Sequence, residues 1–168
     1  GYYQYLKLLK ISEAINRAKN RPFYILGGHG PSPVPEYFLK KTGADAAVIG
    51  EGEETILELI SAVINRRPLS NVKGIAFRDG KRVVVNKRRP LLQDIDSLPF
   101  PAYELFPVEY YRLQRMPHAK SDDFVMPILS GRGCTFKCTF CYRMDEGFRP
   151  RSSEAIIDEI ELLRERYR

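Results

Sequence analysis

Ala46-Ala47-Val48-Ile49-Gly50-Glu51-Gly52-Glu53-Glu54-Thr55 joins a short apolar run to a glycine-rich turn and the start of a helix. Four apolar residues closed off by a turn fit a strand buried on both faces. Gly50 and Gly52 free the backbone to turn sharply. The helix that follows is expected to run to about Asn65, with Ile56, Leu57, Ile60, Val63 and Ile64 as its apolar face. Glu53 and Glu54 suit its first turn, where the helix dipole is positive.

The same order occurs once upstream. Phe23-Tyr24-Ile25-Leu26 reads as a strand and Gly27-Gly28-His29-Gly30-Pro31-Ser32-Pro33 as the loop after it. Pro35 opens a helix over 35–42, and Gly43 is its expected stop. Strand, loop and helix in succession predict an open, doubly wound α/β sheet. Ligands of such sheets sit beyond the carboxyl ends of the strands. The two glycine loops are therefore expected side by side at that edge.

The flanks are less regular. Residues 3–19 are expected to form an amphipathic helix with Leu6, Leu9, Ala14, Ile15 and Ala18 on one face. Gly74–Arg78 and Lys81–Val85 surround Asp79-Gly80, a strong hairpin signal. Residues 87–123, rich in proline and aromatics, read as an irregular connector with one helical turn near 108–113. Phe124–Leu129 is a third strand candidate, and Ser153–Tyr167 a last helix capped by Ser152 or Ser153. Its apolar stripe is expected from Ala155, Ile156, Ile160 and Leu163, with Arg164, Arg166 and Arg168 in the final turn.

Between that third strand candidate and that helix lies Cys134-Thr135-Phe136-Lys137-Cys138-Thr139-Phe140-Cys141. It holds all 3 cysteines of the chain, spaced C-x3-C-x2-C. An odd number of thiols so close together argues against a disulfide framework. Iron–sulfur clusters are usually held by four thiolates, so three leave one iron open to a small chelating molecule. A zinc site completed by His29 or His118 is the alternative, although neither stands at a zinc-knuckle spacing. Thiols kept for a metal imply a reducing compartment, hence a cytoplasmic location.

Length and charge narrow the rest. The chain has 168 residues, enough for one domain and part of another, and is 43% hydrophobic. It contains no run long and apolar enough for a transmembrane helix. Its first residues lack a signal-peptide pattern and an initiator Met, which suggests an excised fragment. The net charge of +6 lies in residues 1–100, where 16 Lys and Arg face 10 Asp and Glu. Arg66-Arg67 and Lys87-Arg88-Arg89 are read as solvated faces, because aromatics are not interleaved with them as on a nucleic-acid platform. Nucleic acid is therefore not an expected partner. Gly50-x-Gly52-x-x-Thr55 nearly matches a dinucleotide fingerprint, but its glutamates would repel a pyrophosphate.

The cysteine spacing, with Phe140 before the last thiol, resembles the C-x3-C-x-Φ-C signature of the radical SAM superfamily. The resemblance implies that Cys134, Cys138 and Cys141 hold a [4Fe-4S] cluster and that S-adenosylmethionine (SAM) chelates the open iron. It also implies that backbone beside Phe140 contacts the adenine. One electron, from an external donor such as flavodoxin or ferredoxin, would cleave SAM to methionine and a 5′-deoxyadenosyl radical. Arg149-Pro150-Arg151-Ser152 also resembles the segment after that family's cysteine loop.

The Gly27-Gly28-His29 and Val48-Ile49-Gly50-Glu51-Gly52-Glu53 loops, with the hairpin and Leu98-Pro99-Phe100-Pro101-Ala102, resemble the B12-binding domain of cobalamin-dependent radical SAM enzymes. That implies an α/β fold: a partial, Rossmann-like cobalamin-binding domain (1–86), a connector (87–123) and the first βα unit of a radical SAM TIM-like barrel (124–168). A full barrel needs roughly 250 residues, so this part is expected to be truncated and inactive alone. Gly27, Gly28, His29, Gly50, Glu51, Gly52 and Glu53 would line the cobalamin tail. The chain has no Asp-x-His-x-x-Gly stretch, so His29 is not assigned as a cobalt ligand. The implied activity is oxidoreductase or methyltransferase chemistry on a small molecule: methyl transfer, or oxidative cyclisation as in the magnesium-protoporphyrin monomethyl ester cyclase. Alternatives are a tRNA-modifying radical SAM enzyme of the methylthiotransferase kind and a structural piece that binds no cofactor.

Overall fold

A computed structural model of the chain describes residues 2–113, 120, 123–141 and 147–167. His118 and Arg168 lie outside the described residues. The chain divides into two compact units, Gly1–Leu92 and Gln93–Arg168. No helix among the described residues is long and apolar enough to cross a membrane.

The first unit contains α1 (Tyr2–Arg17), β1 (Ile25–Leu26), α2 (Pro35–Thr42), β2 (Ala46–Val48), α3 (Glu53–Ile64), β3 (Ile75–Asp79) and β4 (Arg82–Val85). Its sheet runs β1-β2-β3-β4. β1 and β2 are parallel, Ile25 opposite Ala46, whereas β3 joins β2 antiparallel with Ala47 opposite Ala76. The fold is thus mixed α/β, with the expected hairpin extending the main sheet. Alternation along the strands divides the core. Leu26, Ala47 and Ala76 pack with Leu39 of α2 and with Leu8 and Ile15 of α1. Ala46, Val48, Ile75 and Phe77 pack with Leu59 and Ala62 of α3.

Local signals placed several ends well. Pro35 is the first residue of α2, and Gly43 caps it in the left-handed region at φ 68°, its N–H donating to Leu39 O. The hairpin turn differs by one residue from the expected one. Asp79 pairs with Arg82, so the loop is Gly80-Lys81, with Gly80 at φ 58°. A positive φ at the first central residue is what a type II′ turn demands, and glycine adopts it without Cβ crowding.

Helix faces differ more. On α1 the buried face centres on Ser12, not on Leu6, Ala14 and Ala18, which are exposed. Ser12 donates to Leu8 O (2.7 Å) and meets Tyr24 Oη at 3.0 Å, so its hydroxyl is buried without loss of hydrogen bonds. On α3 the buried residues are Thr55, Leu59 and Ala62, while Leu57, Ile60 and Ile64 face outward. Apolar side chains nearly encircle this helix, so periodicity alone could not select the inward side.

The second unit contains α4 (Val108–Arg112), β5 (Gly131–Cys134), β6 (Gly147–Pro150) and α5 (Ser153–Tyr167), with a 3-10 turn at Tyr103–Leu105. Phe124–Leu129 is not a strand, because nothing among the described residues pairs with it. Pairing begins at Gly131 instead: β5 and β6 form an antiparallel ribbon with Cys134 opposite Gly147. Ser152 caps α5, its Oγ accepting the N–H of Ala155 at 3.1 Å. The buried face of α5 centres on Glu159 and Leu163, and Ile160 is 42% exposed.

Candidate cofactor-binding loops

In the first unit, β1 and β2 are parallel neighbours, so both glycine loops leave the same edge of the sheet. They also touch: buried Ser32 accepts the N–H of Gly50 on its Oγ at 3.2 Å. Gly28 stands at φ 88° with open space around it, and a Cβ on Gly27 would only graze Val48. His29 is exposed beside them. The first loop therefore presents bare backbone to whatever lies beyond the sheet edge.

The second loop is braced by the chain's own residues. Gly50 turns at φ 79°, and Gly52 stands at the cap position of α3. Glu51 accepts the N–H of Leu92 on its carboxylate at 3.0 Å. Glu53 is half-buried in the first turn of α3. Arg89 reaches three side chains of the same turn and helix. It donates from Nε to Thr55 Oγ1 (2.9 Å), from Nη1 to Glu54 (3.4 Å) and from Nη2 to Glu58. These carboxylates are engaged by protein groups, and a pyrophosphate placed here would meet them directly.

The basic run 87–89 has the sequence of a solvated face, yet Arg89 is mostly buried, its side chain 19% exposed. Adjacent Gly74 explains the fit, because a Cβ there would stand 3.0 Å from Thr55 Oγ1 and 3.3 Å from the Arg89 Cβ. Arg89→Met keeps the stem but removes all three donated bonds. It is expected to cost about 1.5–3 kcal/mol, the range for hydrogen bonds to charged groups, read as a lower urea midpoint.

In the second unit the cysteine loop springs from the β5–β6 ribbon. Cys134 ends β5, and the N–H of Cys141 donates to Cys138 O at 3.2 Å, closing a tight turn between the other two thiols. All three cysteines are free and exposed, and Phe140 beside them is 91% exposed. Among the described residues no group of three or more His, Cys, Asp or Glu side chains is gathered as a metal site would be. The loop thus supplies donors of the right kind, three unpaired thiols within eight residues, without holding their sulfurs together.

Next to the ribbon, a polar network centred on buried Glu159 was not revealed by periodicity. Arg151 pairs with Glu159, whose other oxygen accepts the Tyr103 hydroxyl at 2.6 Å. Burial, then the bond to Glu159, pushes the Tyr103 phenol well above its usual pKa, so it remains a donor. Asp96 accepts the N–H of Ser152 at 2.9 Å, and the Ser152 hydrogen bonds hold its carboxyl below the usual range. One signal was present in the sequence. Glu159 lies three and four residues from Ile156, Ala155 and Leu163, on the stripe itself.

Comparison with known proteins places the fold. No protein-family model matches the chain. It is 30% identical over 169 residues to an uncharacterized methyltransferase of Pyrococcus horikoshii, covering 98% of this chain and 35% of that protein. It is 33% identical over 147 residues to the anaerobic magnesium-protoporphyrin IX monomethyl ester cyclase of Rubrivivax gelatinosus, covering 83% and 25%. The radical SAM methyltransferase TsrM of Kitasatospora setae, solved with cobalamin and a [4Fe-4S] cluster, superposes with a TM-score of 0.66 at 22% identity, over 92% of this chain and 30% of that one. The cobalamin-dependent radical SAM enzyme OxsB superposes at 0.70 with 24% identity, over 97% and 21%. The chain shares the fold of part of these cobalamin-dependent radical SAM enzymes, and its sequence is similar to part of the Pyrococcus methyltransferase and of the Rubrivivax cyclase. It spans about a third or less of the length of the curated relatives just named. The superpositions with these radical SAM enzymes cover nearly all of the chain, so both units fall within the likeness.

Proposed function

We propose that this chain is part of a cobalamin-dependent radical SAM enzyme acting on an unactivated carbon of a small molecule, by methyl transfer or oxidative cyclisation. Cys134, Cys138 and Cys141 would hold a [4Fe-4S] cluster. The reading is carried by one observation: three free, exposed thiols on one short loop, rooted in a ribbon of tightly approaching glycines. When bound, such a cluster and SAM supply a reductively generated radical, and cobalamin supplies a methyl carrier; that chemistry belongs to the cofactors.

The chain's own residues have narrower tasks. The three thiols ligate, and the exposed Phe140 offers a flat apolar face beside them. Gly27, Gly28 and His29 present open backbone and an exposed imidazole at the sheet edge, which fits contact with a bulky cofactor tail. Gly50, Glu51, Gly52 and Glu53 shape the neighbouring wall, which Ser32 and Arg89 keep rigid.

Anaerobic reconstitution with iron and sulfide tests the cluster. Wild-type chain is expected to bind close to four irons with a thiolate-to-iron absorption band, and each of Cys134→Ala, Cys138→Ala and Cys141→Ala to lose most of it. Equal iron in all three variants would overturn the ligand assignment. Cobalamin is tested separately, by the absorption spectrum retained after mixing with hydroxocobalamin and desalting. Loss of retention in Gly28→Val would support the sheet-edge site, and no retention by wild type would remove cobalamin from the reading.

A further inference from the structure

The Arg151 side chain is 11% exposed, and it contacts three separate stretches of the second unit. Its backbone N–H donates to Ser130 O at 2.9 Å, closing the ribbon just below β5 and β6. Its guanidinium donates to Leu129 O and to Ala155 O, each at 3.0 Å, and to the carboxylate of Glu159. Nε stands 3.8 Å from Asp96 Oδ1, and the guanidinium carbon lies 5.8 Å from the centre of the Phe100 ring. Glu159 is 2% exposed and is further held by Tyr103. A cavity of about 370 Å³ lies alongside, walled by Ile95, Leu98, Phe100, Ile128 and Leu129.

Such an arrangement is costly unless it fixes a geometry. A buried ion pair gains little over well-packed apolar residues, because both charges give up water. A planar guanidinium, however, directs its donors along set lines, which an ammonium does not. Here those lines run to the segment entering the ribbon, to the connector and to α5. The sulfurs themselves are not gathered by any regular structure of the loop, so their placement depends on where the two ends of the ribbon are held.

We propose that Arg151 is a positioning residue for the cysteine loop: with Glu159, Tyr103 and Asp96 it clamps the base of the β5–β6 ribbon. It touches none of the three thiols. The proposal rests on the assignment of those thiols as cluster ligands.

The test uses the whole chain with Arg151→Lys, and with Arg151→Met combined with Glu159→Leu. The double variant removes both charges together, so no lone charge is left buried and the fold should persist. In the cluster-free chain, the amides of β5 and β6 are expected to exchange about tenfold faster in the double variant, with the melting temperature little changed. After reconstitution it is expected to hold several-fold less iron and to give a broadened electron paramagnetic resonance signal when reduced. Arg151→Lys keeps the charge but not the fork, and should recover only part of either effect. Unchanged exchange, iron content and line shape in the double variant would overturn the proposal. If wild-type chain binds no iron, the ligand assignment falls, and the exchange rates alone then decide whether the clamp exists.

Discussion

Gly133→Ala is expected to unpair β5 from β6 and to abolish iron uptake by the cysteine loop. Gly133 sits at φ 86°, a region that costs an L side chain roughly 1–2 kcal/mol. A steric collision adds more. A Cβ at this position would lie 2.2 Å from Gly147 O and 3.2 Å from Gly147 C, and both are backbone atoms of the paired strand. They cannot yield without breaking the ladder that places Cys134 opposite Gly147. Torsional strain and collision together should exceed about 3 kcal/mol, more than a four-residue ribbon can absorb. Gly28→Ala is the matched control. Gly28 has φ 88° but nothing within 4 Å of the added carbon, so only the conformational cost remains, roughly 1–2 kcal/mol. Amide exchange of β5 and β6, together with iron bound per chain, distinguishes the two substitutions.

Leu59→Ala should lower the stability of the first unit by about 2–5 kcal/mol, whereas Leu57→Ala should shift it by less than about 0.5 kcal/mol. The two residues flank Glu58 in α3, two positions apart. Leu59 is fully buried against Ala46, Val48, Ile75 and Phe77, and its loss leaves a cavity beneath the sheet. Leu57 is 70% exposed and leaves none. Urea unfolding followed by circular dichroism measures both. A comparable loss in Leu57→Ala would show that the helix is seated on its other side, the side the hydrophobic spacing first suggests.

These cases mark where reading the residues in order succeeds. Pro35 and Gly43 delimit α2 because each acts through its own backbone torsions, which need no distant partner. Gly80 announces the hairpin for the same reason, although the register of β3 on β4 moves the turn by one residue. The spacing of Cys134, Cys138 and Cys141 is a property of the chain itself, and three thiols within reach of one another suggest metal chemistry before any coordinates exist.

Elsewhere neighbours far along the chain overruled the pattern. Phe124–Leu129 has the composition of a strand, but a strand requires a ladder, and pairing starts in the glycine-rich segment just after it, where missing side chains allow two backbones to approach. Ser12 and Glu159 look like solvent-facing residues, yet each lies at the centre of a buried helix face. The Tyr24 hydroxyl meets the first, and Arg151 and Tyr103 donate to the second. Arg89, one of three successive basic residues, becomes the brace of the Gly50–Thr55 turn only because Gly74 leaves it room.

By itself, then, the order of residues determined the α/β rhythm, the sheet edge at which the glycine loops emerge, and the thiol set, since each follows from torsions and spacings within a few residues. Only the tertiary structure decided which side of each helix is buried, which polar groups go inside and what secures the two ends of the cysteine ribbon. The cause is energetic. A polar or charged group is buried without penalty only where a partner meets it, and the side-chain partners of Ser12, Arg89 and Glu159 lie from 8 to 56 residues away in the chain.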